Sequence, residues 1–129
     1  MLFDSSFMNL TILLHLITGL VFLLIASLAD AKAVYYAVRT WSGGKLQYMN
    51  VGMTFLFFTV SVLPFIYSVK FFGNAGILSR PIQSLIWFMG TICFVAVLDG
   101  TFFEWKKIDQ LVALLIVIGM TWLVVRVNA

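Results

Sequence analysis

The chain has 129 residues, of which 63% are hydrophobic and 10% charged, with a net charge of +3 at pH 7 and a mean hydropathy of +1.09. A soluble domain of ordinary composition carries roughly 25% charged residues, so this chain has too few polar side chains to cover a soluble globule. Its eight Lys and Arg residues form no basic tract, which argues against a nucleic-acid partner. We therefore expect an integral membrane protein whose surroundings are the lipid bilayer.

Four apolar stretches are long enough to cross a bilayer. A helix of about 20 residues spans a hydrocarbon core of about 30 Å, and 129 residues leave room for four such helices but not for six. We predict an all-α, single-domain bundle of four transmembrane helices joined by short connections. The predicted spans, in chain order, are 9–29, 49–69, 81–103 and 110–125.

The first span ends in Ser27-Leu28-Ala29, which resembles a signal-peptidase site. The segment before it has no Lys or Arg and carries Asp4, unlike a signal peptide, so we expect it to stay as a helix of the mature protein.

A narrow polar stripe crosses this first span. Thr11, His15 and Thr18 are spaced by four and three residues, which places them on one face of a helix. We expect this face to contact other helices, with His15 bonded to a neighbouring hydroxyl or carbonyl group. A proton carrier or a haem ligand is the alternative, and a haem held by two histidines would need a second chain because there is no other His. We predict no cofactor.

The single cysteine, Cys93, excludes an intrachain disulfide and a zinc or iron–sulfur set, so no metal site is predicted either.

The connection after the first span is polar and contains several aromatic residues. We predict a helical extension or an interfacial turn over residues 31–41, and a break at Gly43-Gly44. In the second span, Pro64 cannot donate a hydrogen bond to the carbonyl of Val60. The sequence therefore predicts a kink or hinge at Pro64, with the hydroxyl of Ser61 or Thr59 satisfying the freed group.

The distribution of Lys and Arg predicts the orientation. The first and third connections carry five of these residues, whereas the termini and the second connection carry three. The positive-inside rule then places both termini outside the cytoplasm. Because the margin is small, a reversed or dual insertion is the alternative.

Asp30, Asp99 and Glu104 are the candidate residues for binding a cation or a proton, because an ionisable residue at a span is a functional candidate by default. Asp30 follows directly on the first predicted span, and Asp99 lies within about a turn of the end of the third. We therefore expect both near the headgroups, at similar depth on one side, and close to helix C-termini, where the helix dipole disfavours an anion. In one hypothesis the acids form a vestibule for a cation or proton. In the other they are neutralised by three lysines, Lys32, Lys106 and Lys107.

Two segments resemble a known family of membrane proteins. Leu28-Ala29-Asp30 resembles the Leu-Ala-Glu triplet of the small multidrug resistance proteins, with Asp in place of Glu. The hairpin from Phe102-Phe103-Glu104 to Gly119 is similar to the acidic turn and last helix of the drug/metabolite transporter superfamily. The resemblance implies four helices acting as a dimer, a carboxylate at Asp30 that binds cations and protons, and a bacterial inner membrane.

Three functions fit these features of the sequence. The chain is expected to be a small cation- or proton-coupled transporter or transporter half, dimerising so that the acids line a cation path. Alternatively, it is an accessory or scaffold subunit that associates with other membrane subunits, and a holin-like pore former is the third hypothesis. No phosphate-binding loop, nucleophile elbow or catalytic triad is present, so we do not expect an enzyme.

Overall fold

The computed structural model describes residues 6–128, and the side chains from 10 to 127. Four helices are long and apolar enough to cross a membrane, which confirms the all-α four-helix class and defines a small multi-pass integral membrane protein. They are α1 (Ser6–Ala37), α2 (Tyr48–Asn74), α3 (Arg80–Asp99) and α4 (Lys107–Asn128). Two shorter features connect them: a β-hairpin of β1 (Trp41–Ser42) and β2 (Lys45–Leu46), and a 3-10 turn at Thr101–Glu104.

α1 extends beyond the end predicted for the first span. It continues without a break through Asp30 to Ala37, so the expectation that Asp30 marks the end of this helix is wrong. Alanine has the highest helix propensity, and Ala31, Ala33 and Ala37 occupy three of the seven positions after Asp30. The predicted helical extension is thereby confirmed as far as Ala37.

The predicted break at Gly43-Gly44 is the turn of the β-hairpin. Both glycines have positive φ, +58° and +73°, a region that residues with a Cβ rarely adopt and that a two-residue hairpin turn requires. Trp41 pairs with Leu46 and Ser42 with Lys45. This hairpin connects the C-terminus of α1 to the N-terminus of α2, and we call this end of the bundle the hairpin side. The connection between α2 and α3 defines the opposite side.

α2 passes through Pro64 as one continuous helix. The hydroxyl of Ser61 donates to the carbonyl of Phe58 at 2.7 Å, and that of Thr59 donates to Phe55 at 2.8 Å. Neither hydroxyl therefore satisfies the carbonyl of Val60, contrary to expectation. Ser and Thr hydroxyls in a helix reach back to carbonyls three or four residues earlier, and Val60 is too close in sequence. The hinge at Pro64 stays a prediction.

α3 begins at Arg80 with Pro81 in its first turn, as predicted, but ends four residues before the predicted end of the span at Phe103. Gly100 adopts a left-handed conformation, with φ +76°, and its N–H donates to the carbonyl of Ala96 at 3.3 Å. This glycine cap ends the helix at Asp99. α4 then begins at Lys107, three residues earlier than the predicted start of its span.

The helices form a three-helix core with α4 at its edge. α1 packs along both α2 and α3, which contact each other little, and α4 packs chiefly against α3. The buried side chains are mostly small ones of Ala, Ser and Thr, such as Ala26. Three larger side chains, those of Leu23, Phe72 and Ile82, are also almost fully buried. Small side chains let helices approach closely, which is how helices pack when lipid removes the hydrophobic driving force between them.

Candidate functional site

Asp30 is the buried acid of the three-helix core. Its side chain is 7% exposed and projects from α1 between α2 and α3. The hydroxyl of Ser61 on α2 lies 3.3 Å from Asp30 Oδ1, and the hydroxyl of Thr91 on α3 lies 3.4 Å from Oδ2. Both hydroxyl residues are buried. Three helices therefore converge on one carboxyl group.

The level of Asp30 in the bundle follows from its two partners. Ser61 is the central residue of α2, 13 residues from each end, and Thr91 is within two residues of the centre of α3. At 1.5 Å per residue, Arg80 and Asp99, the charged ends of α3, lie roughly 17 Å and 12 Å from Thr91 along the helix. Asp30 thus lies inside the apolar layer of α2 and α3, and the expectation of a carboxylate at headgroup level is wrong.

The hydrogen bonds around Asp30 are consistent with a neutral carboxyl group. The Ser61 hydroxyl has one proton, and its contact to the carbonyl of Phe58, at 2.7 Å, is much shorter than its 3.3 Å contact to Asp30 Oδ1. If Ser61 donates to Phe58, its oxygen can accept a hydrogen bond from a protonated Oδ1, while Thr91 donates to Oδ2. Both contacts to Asp30 are longer than the usual 2.5–3.0 Å for O–H···O bonds.

No basic side chain neutralises Asp30 in the described part of the chain. Lys32 lies two residues further along α1, but its side chain is exposed and its Nζ sits 5.8 Å from the centre of the Phe57 ring. Within residues 6–128, neither Lys106 nor Lys107 forms an ion pair with an acid. The hypothesis that these lysines balance the acids by direct pairing is therefore not supported by the geometry.

A tightly packed layer lies one helical turn from Asp30, towards the α2–α3 connection. There the Ser27 hydroxyl donates to the carbonyl of Trp87 at 3.3 Å, and the Trp87 ring stacks on Phe65 with 4.2 Å between ring centres. α1 and α3 approach so closely that a Cβ on Gly90 would lie 2.6 Å from Ser27 Oγ. The indole N–H of Trp87 is buried and has no acceptor among the described residues. We call Ser27, Trp87, Phe65 and Gly90 the closed layer.

Asp99 and Glu104 lie apart from Asp30. Asp99 is exposed at the C-terminus of α3, eight residues beyond Thr91, and its carboxylate accepts a hydrogen bond from Thr101. Glu104 is exposed at the end of the 3-10 turn. The expectation that Asp30 and Asp99 share one depth is wrong, because α1 continues past Asp30 by two turns before it reaches the level of Asp99.

The predicted polar stripe on α1 only partly faces another helix. The His15 ring is half-buried and lies 5.8 Å from the ring of Phe71 on α2. Thr18 is half-buried and donates to the carbonyl of Leu14 in its own helix at 2.8 Å, whereas Thr11 is exposed. Within residues 10–127, His15 forms no hydrogen bond to a hydroxyl or carbonyl group, so that expectation is not met. The same region contains no cluster of three or more His, Cys, Asp or Glu side chains that could hold a metal ion.

The sequence contained a signal for the Asp30 site that we did not use. Leu23, Ala26, Ser27, Asp30 and Ala31 fall at i, i+3, i+4, i+7 and i+8, the spacing of one buried helix face, and all five are buried. This stripe runs through Asp30 without interruption. Thr91 and Trp87 were missed because nothing in the sequence pairs them with α1.

No protein-family model matches this chain, and neither a curated protein nor a solved structure is significantly similar to it.

Proposed function

We propose that this protein is a small membrane transporter, or half of one, that binds and releases a proton or a small monovalent cation at Asp30. The observation that carries the proposal is the buried carboxyl group of Asp30, inside the apolar layer, contacted by hydroxyl groups from two other helices. Acids inside a membrane are costly, so they persist mainly where they bind, relay or pair with charge. No pairing cation contacts Asp30 in the described part of the chain.

The size of the site favours a single positive charge. One carboxylate neutralises one unit of charge, and among the described residues the other side-chain oxygens in contact are the hydroxyls of Ser61 and Thr91. Three groups are few for a hard metal cation, which takes six or more oxygen ligands as Ca²⁺ or Mg²⁺. A proton needs only one acceptor and one neighbour to receive its hydrogen bond, so we favour the proton over a metal cation.

The resemblance to the small multidrug resistance proteins supports the same assignment, since it implies a cation- and proton-binding carboxylate at Asp30. Membership of that family, dimer formation and the absence of enzymatic activity remain part of this proposal.

Proton flux into vesicles tests the function. Purified protein is reconstituted in vesicles that contain a pH-sensitive dye, and valinomycin with a potassium gradient drives protons inward. We expect acidification above that of protein-free vesicles for wild type and for Asp99→Asn, and its loss for Asp30→Asn, which keeps the size and hydrogen bonding of the side chain. A thermal-shift measurement confirms folding of each variant. Undiminished flux in folded Asp30→Asn would contradict the proposal.

An accessory role is the second candidate, and the position of α4 favours it. No residue in the most apolar window of α4 is buried, and this helix leaves most of its surface free of the other three. An accessory subunit would use such a surface to bind other membrane subunits. Mild detergent extraction separates the two functions: a transporter is expected as a defined homodimer or a lone chain with proton flux, and an accessory subunit as a complex with other proteins and no flux of its own.

A further inference from the structure

A crevice of about 220 Å³ lies between α1 and α3 on the hairpin side of Asp30. Its walls come from one face of α1, from Ala31 to Val38, and from Val95, Leu98 and Asp99 on α3. Ala31 follows Asp30 directly in α1, and Val95 follows Thr91 by one turn. The crevice therefore runs from the exposed Asp99 to Ala31, the residue next to Asp30, although Asp30 itself does not line it. Its volume is that of several water molecules.

On the opposite side of Asp30, the three helices pack against one another. The closed layer places the stacked rings of Trp87 and Phe65 one turn from Asp30, with α1 and α3 in contact at Ser27 and Gly90. Further along, Leu23 of α1 and Ile82 of α3 are nearly fully buried. A path from Asp30 towards the α2–α3 connection would have to separate these contacts.

We propose that, in the conformation described, the crevice is a water-filled path by which a proton or monovalent cation approaches Asp30 from the hairpin side and not from the opposite side, with Asp99 attracting cations at its mouth. This inference rests on the function proposed for Asp30 and adds the route and the residue that selects for charge.

The charges near the mouth favour cations. Asp99 is the charged side chain that lines the crevice. Arg39 is nearby, but its guanidinium lies 3.5 Å from the centre of the Tyr35 ring and donates to the Tyr35 carbonyl at 2.9 Å, and Arg39 does not line the crevice. The positive charge of Arg39 is therefore held against Tyr35, whereas Asp99 is itself a lining residue of the crevice.

Thiol labelling tests water access without measuring transport. In a Cys93→Ser background, Val95→Cys lies in the crevice, and Val97→Cys is the matched control, because Val97 is on the same helix, is 63% exposed and lines the apolar groove between α3 and α4. We expect water-soluble methanethiosulfonates to modify Val95→Cys about tenfold faster, since only the thiolate reacts and it forms poorly away from water. Val34→Cys on the α1 wall serves as a second reporter if Val95→Cys does not fold.

Two further labelling measurements test the one-sided access and the selection for charge. Ser84 is half-buried and four residues from Arg80, as Val95 is half-buried and four residues from Asp99, so Ser84→Cys reports access from the opposite side at equal depth. We expect it to react slowly. At Val95→Cys, the ratio of the trimethylammonium rate to the sulfonate rate should exceed the same ratio for a free thiol in solution by about tenfold, because a unit charge about 6 Å away in water changes the rate by about threefold for each sign. Asp99→Asn should remove this preference.

The outcomes separate this inference from the function of Asp30. Equal rates at Val95→Cys and Val97→Cys, with Val34→Cys equally slow, would overturn the path even if Asp30→Asn abolishes proton flux. Fast labelling of Ser84→Cys would overturn the one-sided access. A charge preference that survives Asp99→Asn would overturn the role of Asp99.

Discussion

Replacing Gly90 by Ala perturbs the closest approach of α1 and α3. The new Cβ would lie 2.6 Å from Ser27 Oγ and 3.1 Å from Ser27 Cβ, and Ser27 is fully buried, so its hydroxyl must rotate and the two helices must shift slightly. Overpacking of this kind costs about 1–3 kcal/mol. The higher helix propensity of Ala returns about 1 kcal/mol, which leaves a net loss of up to about 2 kcal/mol.

Two other glycines make the comparison quantitative. A Cβ on Gly119 of α4 would meet no atom within 4 Å. Gly119→Ala should therefore stabilise the protein by about 1 kcal/mol, the difference in helix propensity between Ala and Gly, without a clash. A Cβ on Gly19 would lie 3.2 Å from the Phe72 ring, and this variant should fall between the two. The predicted order of stability is therefore Gly119→Ala, then Gly19→Ala, then Gly90→Ala.

The assay is thermal unfolding in detergent, followed by circular dichroism. Ser27→Ala removes the atom nearest to the new Cβ, so the double variant with Gly90→Ala should recover part of the loss, as a positive coupling in a double-mutant cycle. Gly90→Ala as stable as Gly119→Ala would refute the close approach of α1 and α3, and with it the closed layer.

Three further predictions concern the closed layer, the proline and the orientation. Trp87→Phe should be neutral or stabilising in thermal unfolding, because it keeps the stack on Phe65 and removes a buried N–H whose missing acceptor costs about 1–3 kcal/mol. Trp87→Ala, which removes the whole ring, should destabilise the protein by about 3–5 kcal/mol. Equal losses of stability in the two variants would contradict this. Pro64→Ala should raise the unfolding temperature by restoring a backbone hydrogen bond and should slow proton flux if Pro64 is a hinge, so unchanged flux would remove the hinge. Impermeant reagents applied to intact cells should label Asn74→Cys and spare Ser42→Cys, and the reverse pattern would invert the predicted orientation.

The number of helices and several of their ends could be predicted from the sequence. Four uncharged stretches of membrane-spanning length are a strong signal, and Pro81 and Gly43-Gly44 mark local backbone requirements that hold in any context. The end at Gly100 was missed because the apolar residues Phe102 and Phe103 continue the hydropathy of the span, whereas helix termination depends on a glycine in the left-handed conformation.

The depth of Asp30 could not be found by counting charges. Ending the predicted span at the first acid assumes that this charge lies in water. In the structure, hydroxyl groups from α2 and α3, helices distant in the sequence, contact Asp30 instead. Which residues those are depends on how α2 and α3 align with α1, and that alignment is set by the packing of small side chains at Ser27 and Gly90. The helix-period stripe through Asp30 was the local part of this information. The rest of the information lies in the tertiary packing of α1 against α2 and α3.

Infrared spectroscopy of the protein in lipid tests the central claim most directly, because a protonated carboxyl group has a carbonyl stretch that an ionised one lacks. We predict a carboxyl band that appears and disappears reversibly as the pH is changed, that is absent in Asp30→Asn and that is retained in Asp99→Asn. Such a band would establish that the buried Asp30 takes up and releases a proton in the folded protein. An Asp30 that keeps one protonation state over the whole pH range in which the protein stays folded would contradict the account.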